Sequence, residues 1–191
     1  FTGVTKFGKV SVFSDLNNLK DISMLPAYSN ICGITEKELH LCFDDSVKEL
    51  AANNEMTKEK CYERLREDFD GYHFNEFTKE GVYNPFSVLN TLDSHIFRDY
   101  WFETGTPSFL VHQLKKTCYP LENMTKEEVS ADTINSIDIM DENPLPLLYQ
   151  SGYLTLKSYD REFNSYLLGF PNREVEQGFI KYLLPAVQDR H

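Results

Sequence analysis

The chain has 191 residues, of which 41% are hydrophobic and 26% charged, and its formal net charge at pH 7 is −11. This composition is typical of a globular protein and excludes a disordered chain. No apolar run approaches the roughly 20 residues that span a bilayer, and no secretory signal is present, so we expect no membrane association. Because 19 basic residues stand against 30 acidic ones, a chain-wide positive field is excluded and nucleic-acid binding is disfavoured.

The cysteines and the two chain ends add two expectations. Cys32, Cys42, Cys61 and Cys118 are widely spaced and include no CxxC pair, which predicts free thiols in a reducing, cytoplasmic setting and no structural metal site. The first residue is not an initiator methionine, and a helical pattern still runs when the chain stops. We therefore expect this chain to be a piece of a longer protein.

The first third of the chain contains one strand pattern and two helix patterns. Residues 9–14 alternate apolar and polar side chains, which predicts a strand. Thr35-Glu36-Lys37-Glu38 has the form of a capping box and predicts the start of a helix. The apolar face of that single helix is formed by Leu39, Cys42, Phe43, Val47, Leu50 and Ala51. A second helix begins after Thr57, turns Cys61, Leu65 and Phe69 inward, and ends at Gly71.

Further along, turn and cap residues divide the chain. Asn84-Pro85, Thr106-Pro107 and Asn143-Pro144 each predict a helix start with proline in the first turn, and Thr125 to Glu128 predicts a short helix. Residues 153–157 and 165–170 flank a polar turn and predict a hairpin. Helices at 144–151 and 173–184 enclose this hairpin, an order that is compatible with a winged-helix unit and also occurs in other small α+β modules.

Two segments imitate the nucleotide-binding motifs of ATPases. Gly3 to Lys9 fits GxxxxGK, but Val10 follows where a phosphate loop needs serine or threonine for magnesium. Leu39 to Asp45 imitates a Walker B strand with paired acids, but its capping box predicts a helix instead. We therefore predict no catalytic residue and no metal ligand in this chain.

The remaining polar and aromatic clusters have structural explanations. The acids of Asp68 to Gly71 lack the glutamate that a calcium loop requires, so they indicate a helix end. The histidines have no neighbouring nucleophile at a strand–helix turn. We expect one aromatic cluster to be core rather than a base-stacking platform: Tyr72, Phe74, Phe77, Tyr83, Phe86, Tyr100, Trp101 and Phe102.

Local strings across nearly the whole chain resemble one family, the AAA-ATPase-like proteins common in Bacteroidetes and some other anaerobes. The strings are Thr2 to Phe7, Val10 to Leu19, Asp21 to Ser23, Asp70 to Phe74, Val82 to Ser87, Tyr100 to Pro107, Leu148 to Thr155 and Leu168 to Asn172. In that family the Walker motifs lie upstream of this segment, and a restriction-endonuclease-like nuclease domain commonly lies downstream. The resemblance implies ATP and Mg²⁺ binding, and ATP hydrolysis, for the intact protein but no cofactor in this segment.

The resemblance also implies a division of the chain and five candidate residues. Residues 1–34 would be a sensor-like strand and connection of the ATPase core, residues 35–120 a helical lid, and residues 121–191 a winged-helix-like region. Thr2, Thr5 and Lys6 could approach the γ-phosphate, and Tyr83 and Asn84 could contact nucleotide from the lid. For all five, an ordinary strand, turn or cap role is the simpler reading.

These observations predict an α+β, mainly helical fold that acts as the non-catalytic lid and sensor of a larger ATPase. Its partners would be the ATPase core and the downstream domain of the same protein. Two other classes of function stay open. One is a nucleic-acid-binding module that uses the hairpin and the helix from Arg173 to Arg190, and the other is a protein-interaction module. The sequence sets neither the oligomeric state nor the cellular role.

Overall fold

The computed structural model describes residues 20–104, 108–117, 119–134 and 143–188. This part of the chain is α+β and mainly helical, as the sequence predicts. The predicted strand at 9–14 and the predicted Thr106-Pro107 helix start lie outside the described residues. In chain order the elements are α1 (Glu36–Cys42), α2 (Asp44–Asn53), α3 (Lys58–Phe69), α4 (Pro85–Ser94), α5 (Ser108–Thr117), β1 (Glu128–Ser130), α6 (Ala131–Ile134), α7 (Leu145–Gln150), β2 (Thr155–Asp160), β3 (Ser165–Gly169), α8 (Arg173–Gly178) and α9 (Leu184–Gln188).

The predicted capping box at Thr35 is confirmed. Its hydroxyl accepts from the amide of Glu38, and the Glu38 carboxylate accepts from the amide of Thr35 at 2.9 Å. The prediction of one continuous helix behind it was wrong, because the backbone leaves helical geometry at Phe43 and α2 begins at Asp44. Within α1 itself Leu39 is fully buried, whereas Cys42, which the sequence places on the apolar face, is exposed. The break also places Asp44 in the first turn of α2, where the helix dipole favours an acid.

The next two helices begin where their sequences predict, and the first of them also ends where its sequence predicts. The Thr57 side chain accepts from the amide of Lys60 and begins α3, and Asn84 Oδ1 accepts from the amide of Phe86 at 2.9 Å and begins α4. Helix α3 ends at Phe69, and Gly71 follows with a φ of 101°, a left-handed conformation that favours glycine. An isolated antiparallel bridge between Tyr72 and Val82 then returns the chain to α4.

The predicted hairpin is confirmed and is part of a three-stranded antiparallel sheet with strand order β1-β3-β2. Asn164 takes a φ of 49° in the turn between β2 and β3. The third strand, β1, pairs Val129 with Tyr166 on the other side of β3. This strand corrects the prediction that Thr125 to Glu128 opens a short helix. Glu128 is the first residue of β1, because the apolar Val129 enters the core by pairing with β3.

The last helix runs from Arg173 to Gln188 with a turn of π-helix at Phe179–Leu183. Its start is confirmed, since Asn172 Oδ1 accepts from the amide of Val175 at 3.1 Å. Pro185 explains the wide turn, because proline lacks an amide hydrogen and its ring clashes with the carbonyl four residues earlier.

The buried apolar side chains form two clusters. The first cluster is made by α1–α4 and contains Leu39, Val47, Leu50, Ala51, Cys61, Tyr62, Leu65, Phe69, Tyr83, Val88 and Leu92. The second is made by the sheet and the helices around it, and its fully buried members include Ile134, Leu148, Leu168, Val175 and Leu183. Tyr72 and Val82 also belong to the second cluster, so the 70–84 segment connects the two.

The chain passes from the first cluster to the second near residue 100. Phe102 and the two buried leucines of α5, Leu110 and Leu114, already pack in the second cluster. The predicted domain limits at 34/35 and 120/121 stay a prediction.

The aromatic residues were predicted to be core, and this is confirmed for Tyr72, Tyr83, Tyr100 and Phe102. It was wrong for Phe77 and Phe86, which are 62% and 49% exposed.

Among the described residues, no helix combines the length and the apolar character needed to cross a membrane.

Candidate functional site

Tyr83, one of the predicted nucleotide-sensing residues, is buried in the first cluster with 1% of its surface exposed. Its hydroxyl donates to the carboxylate of Glu36 at the start of α1. Arg66 Nη2 lies 2.5 Å and His40 Nε2 3.1 Å from the same carboxylate. Burial pushes the pKa of Glu36 up, but the hydrogen bonds from Arg66 and Tyr83 outweigh it and hold that pKa below its usual value. Tyr83 is therefore a fixed part of a charged cluster.

Removing the Tyr83 hydroxyl tests the strength of this cluster. We expect Tyr83→Phe to lower the free energy of unfolding by about 2 kcal/mol, because a buried hydrogen bond to a charged group is lost. Urea unfolding followed by circular dichroism measures the change. Tyr119→Phe is the matched control, since the Tyr119 hydroxyl also donates to a carboxylate, that of Glu127 at 2.7 Å, but in an exposed position. We expect an effect below about 0.5 kcal/mol there, and equal losses in the two variants would contradict the prediction.

Asn84, the second predicted sensing residue within the described part, is engaged through its backbone and its side chain. Its amide donates to the carbonyl of Phe69 at 2.9 Å, so the start of α4 is attached to the end of α3. Its Oδ1 caps α4 by accepting from the amide of Phe86. Contact of Tyr83 or Asn84 with nucleotide stays a prediction, and Thr2, Thr5 and Lys6 lie outside the described residues.

The structure brings together a second polar group, which the sequence did not indicate. We call it the joint and define it by Asp68 on α3, Ser87 on α4, Trp101 in the 3-10 turn Tyr100–Thr104, and Arg173 and Glu174 on α8. The joint lies where the first cluster meets the second. It therefore determines how the α1–α4 helices are attached to the sheet and its helices.

Glu174 is the centre of the joint. Only 3% of its surface is exposed. One carboxylate oxygen accepts from Ser87 Oγ at 2.7 Å and the other from the Trp101 amide at 3.0 Å. Burial raises the pKa of this carboxyl to about 7, and the two hydrogen bonds only partly oppose that rise. The burial of Glu174 could not be predicted from the sequence, because an acid in the first turn of a helix is normally solvated and favoured by the helix dipole.

Arg173 makes the other half of the joint. Its Nη2 lies 2.6 Å and its Nε 2.7 Å from one oxygen of Asp68, and its Nη1 lies 3.3 Å from Glu67. Asp68 is 8% exposed and also faces Arg64 at 3.5 Å. Charge-assisted bonds of this kind fix geometry as well as energy. The guanidinium therefore connects α8 to α3, while the neighbouring Glu174 connects α8 to α4.

Close backbone packing surrounds the joint. Asn172 Nδ2 donates to the carbonyl of Asp70 at 3.0 Å. A Cβ atom on Gly71 would lie 2.2 Å from the Pro171 carbonyl oxygen, so only glycine fits there. On the other side, the Trp101 ring stacks on Tyr72 with centroids 5.9 Å apart. Side chains and backbone thus hold the two clusters in contact.

The paired acids that imitate a Walker B motif lie at the start of α2. Asp44 accepts from Lys48, Lys58 and Tyr62, whose hydrogen bonds hold its pKa well below the usual range, and Asp45 pairs with Lys48 at 2.8 Å. In the part of the chain that the structure describes, no group of three or more His, Cys, Asp or Glu side chains could hold a metal ion. The Gly3–Lys9 imitation lies outside that part.

Comparison with known proteins gives one informative similarity. No family model matches the chain, and no solved structure matches it. A protein from Azotobacter chroococcum mcd 1, described as "Uncharacterized protein in vnfD 5'region", is 35% identical over 185 residues. The match covers 96% of this chain and 33% of that protein, so the chain spans about a third of the length of this relative. The similarity extends over both hydrophobic clusters.

Proposed function

We propose that this chain is the lid and sensor part of an AAA-type ATPase and has no ATPase activity of its own. In such a protein, ATP and Mg²⁺ would be held by Walker residues elsewhere in the polypeptide. The role of this chain would be to pass the nucleotide state from one part of the molecule to another by movement of packed helices. The sequence strings that resemble the AAA-ATPase-like family support this reading.

The order of elements in the second half of the chain supports the winged-helix part of the proposal. Helix α5, strand β1, helices α6 and α7 and the β2–β3 hairpin follow one another, and β1 pairs with the far strand of the hairpin. A winged-helix unit has the same order: helix, strand, two helices and a hairpin. We assign α5 together with residues 121–191 to this unit, so that the unit begins earlier in the chain than the sequence predicted.

One observation carries the proposed function. Asn84 and Ser87 lie on one turn at the start of α4, and Ser87 donates to Glu174 on α8. A shift of the Asn84 end of α4 therefore reaches α8 through a single helical turn and one buried hydrogen bond. This is a short, rigid connection between the predicted nucleotide-facing residues and the second cluster.

The present contacts of Tyr83 and Asn84 define how sensing would work. The Tyr83 hydroxyl is bound to Glu36, and Asn84 Oδ1 is bound to the first amides of α4. A phosphate could accept from the Tyr83 hydroxyl only if it replaced Glu36, whereas Asn84 Nδ2 could donate to a phosphate while Oδ1 keeps the cap. Contact with Tyr83 would therefore disturb the Glu36 cluster, and contact with Asn84 would act on the first turn of α4 directly.

The proposal predicts that the isolated 191-residue chain does not hydrolyse ATP and binds it weakly at most. Phosphate release in the presence of Mg²⁺ measures turnover, and calorimetry measures ATP affinity. Lys9→Ala should change neither quantity, because Lys9 belongs to a motif that lacks the magnesium-holding hydroxyl. Turnover above background that is lost in Lys9→Ala would mean that Gly3–Lys9 is a working phosphate loop, and the proposal would then be wrong.

The winged-helix-like order also favours a second function, nucleic-acid binding, but the side chains oppose it. The helix before the hairpin, α7, has the sequence Leu-Pro-Leu-Leu-Tyr-Gln, and its first four residues are buried. It offers no basic side chain to a groove. In the helix from Arg173 onward, the Arg173 guanidinium is already paired with Asp68 and Glu67. Duplex affinity that falls steeply with salt would favour this function over the lid.

A further inference from the structure

The buried carboxyl of Glu174 lies in a setting that disfavours a charge. Within the described part of the chain, no Lys or Arg nitrogen lies within ion-pair distance of it. The adjacent Arg173 directs its guanidinium to Asp68 and Glu67 instead. Both oxygens of Glu174 face neutral donors, Ser87 Oγ and the Trp101 amide. An ionised carboxylate at this point is therefore held by hydrogen bonds alone.

The charged groups on the surrounding elements add to this effect. Asp68 on α3 and Asp99 before the 3-10 turn both act on Glu174 as like charges and raise its pKa further. On α4 the facing group is the neutral hydroxyl of Ser87, and from the 70–84 segment it is the neutral Tyr72. The cations nearby are committed to other acids: Arg64 and Arg173 to Asp68, and Lys181 to Asp99 at 4.0 Å.

From this geometry we propose that the joint is proton-linked: it closes with a proton bound to the Glu174 carboxyl, and it opens with release of that proton to water. The protonated carboxyl keeps both contacts, because its hydroxyl can donate to Ser87 Oγ while its carbonyl oxygen accepts from the Trp101 amide. The ionised carboxylate regains full hydration only when α8 separates from α4. This inference goes beyond the proposed function and involves no nucleotide.

The direction of the pH dependence follows from the pKa of Glu174, which is raised from 4.5 to about 7 in the folded chain. A group of this kind contributes stability that is complete below its unfolded pKa and is lost as the pH rises through its folded pKa. Opening of the joint should therefore become easier between about pH 5 and pH 8 and should be independent of pH above that window.

Hydrogen exchange of the Trp101 amide tests the proposal, since this amide donates to Glu174. In the wild-type chain we expect its protection factor, already corrected for intrinsic exchange, to fall about forty-fold from pH 5 to pH 7. In Glu174→Gln it should not change with pH, because an amide cannot release a proton. Glu176→Gln, an exposed change on the same helix, should keep the wild-type fall. A flat wild-type profile, or a fall that persists in Glu174→Gln, would overturn the proposal.

A second pair of measurements distinguishes opening of the joint from unfolding of the whole chain. Low urea should leave exchange at Trp101 nearly unchanged, because a local opening exposes little surface, while it accelerates exchange of the buried Val47 amide. Equal acceleration at both sites would show that the proton is released on global unfolding rather than on local opening, and would contradict the proposal. Carbon-13 NMR of the glutamate carboxyls reads the titration directly in the unmodified chain. A Glu174 midpoint near its ordinary value would also overturn it.

Discussion

Glu174→Gln is expected to stabilise the chain at pH 8 by about 3 kcal/mol, since each pKa unit corresponds to 1.36 kcal/mol and burial raises this pKa from 4.5 to about 7. Glutamine has nearly the same shape and carries no charge. Its Oε1 can accept from the Trp101 amide while its Nε2 donates to Ser87 Oγ, so both contacts of the joint are kept. The gain should shrink as the pH falls and should vanish below about pH 4.5, where glutamate is protonated in the folded and the unfolded chain.

Urea unfolding at pH 5, 6, 7 and 8 measures this gain, with the fluorescence of Trp101 as the signal. Trp101 is the single tryptophan of the chain and lies in the joint itself. Glu176→Gln is the control, because it removes one negative charge from an exposed position on the same helix. A gain that is the same at every pH would show that charge removal alone is responsible. A loss of stability at pH 8 would show that the carboxylate is needed in its ionised form.

Gly71→Ala is expected to destabilise the chain by about 3 kcal/mol, through two effects that act together. The φ of 101° at Gly71 is unfavourable for any residue with a Cβ atom. The new Cβ would also lie 2.2 Å from the carbonyl oxygen of Pro171, and a backbone atom cannot move aside as a side chain can. Relief of this clash requires that the end of α3 and the start of α8 separate, which strains the Arg173–Asp68 pair.

Gly169→Ala is the matched control for this prediction. A Cβ atom at Gly169 would lie 2.8 Å from the Cγ of Lys157, the flexible stem of a long side chain that can rotate away. We expect a loss below about 1 kcal/mol there. Thermal and urea unfolding of both variants measure the difference. Equal losses of stability in the two variants would mean that the backbone packing at Gly71 is no tighter than the side-chain packing at Gly169. That result would contradict the assignment of the joint as the rigid connection between the clusters.

The joint also gives the proposed lid function a structural basis that the two predicted sensing residues lack. Tyr83 and Asn84 are occupied by contacts within the chain, whereas Ser87 and Glu174 connect two separate hydrophobic clusters. A change that weakens the joint should therefore alter how a shift of α4 moves α8, while both hydrophobic clusters stay intact. Such an effect can be distinguished from a general loss of stability, which would follow from the loss of any buried side chain.

Local signals in the sequence predicted much of the secondary structure. Thr35, Thr57, Asn84 and Asn172 each precede a helix and cap it, because a short polar side chain can reach the free amides of the next turn. Gly71 ends α3 for the same kind of local reason. The hairpin was visible from two apolar runs around a polar turn. Failures occurred where a distant partner decided the outcome: Glu128 and Val129 form a strand because β3 lies beside them.

The sequence by itself determined the composition class, the positions of most helix starts, the hairpin and the acidic charge balance that disfavours nucleic-acid binding. Only the tertiary structure decided that Glu174 is buried, that Arg173 pairs with Asp68 across 105 positions, and that Ser87 contacts a residue 87 positions away. Cap and turn signals act over three or four residues, so they can be recognised from the local sequence. Burial of a carboxyl depends on which helices pack against it, and that is fixed only when both clusters have formed.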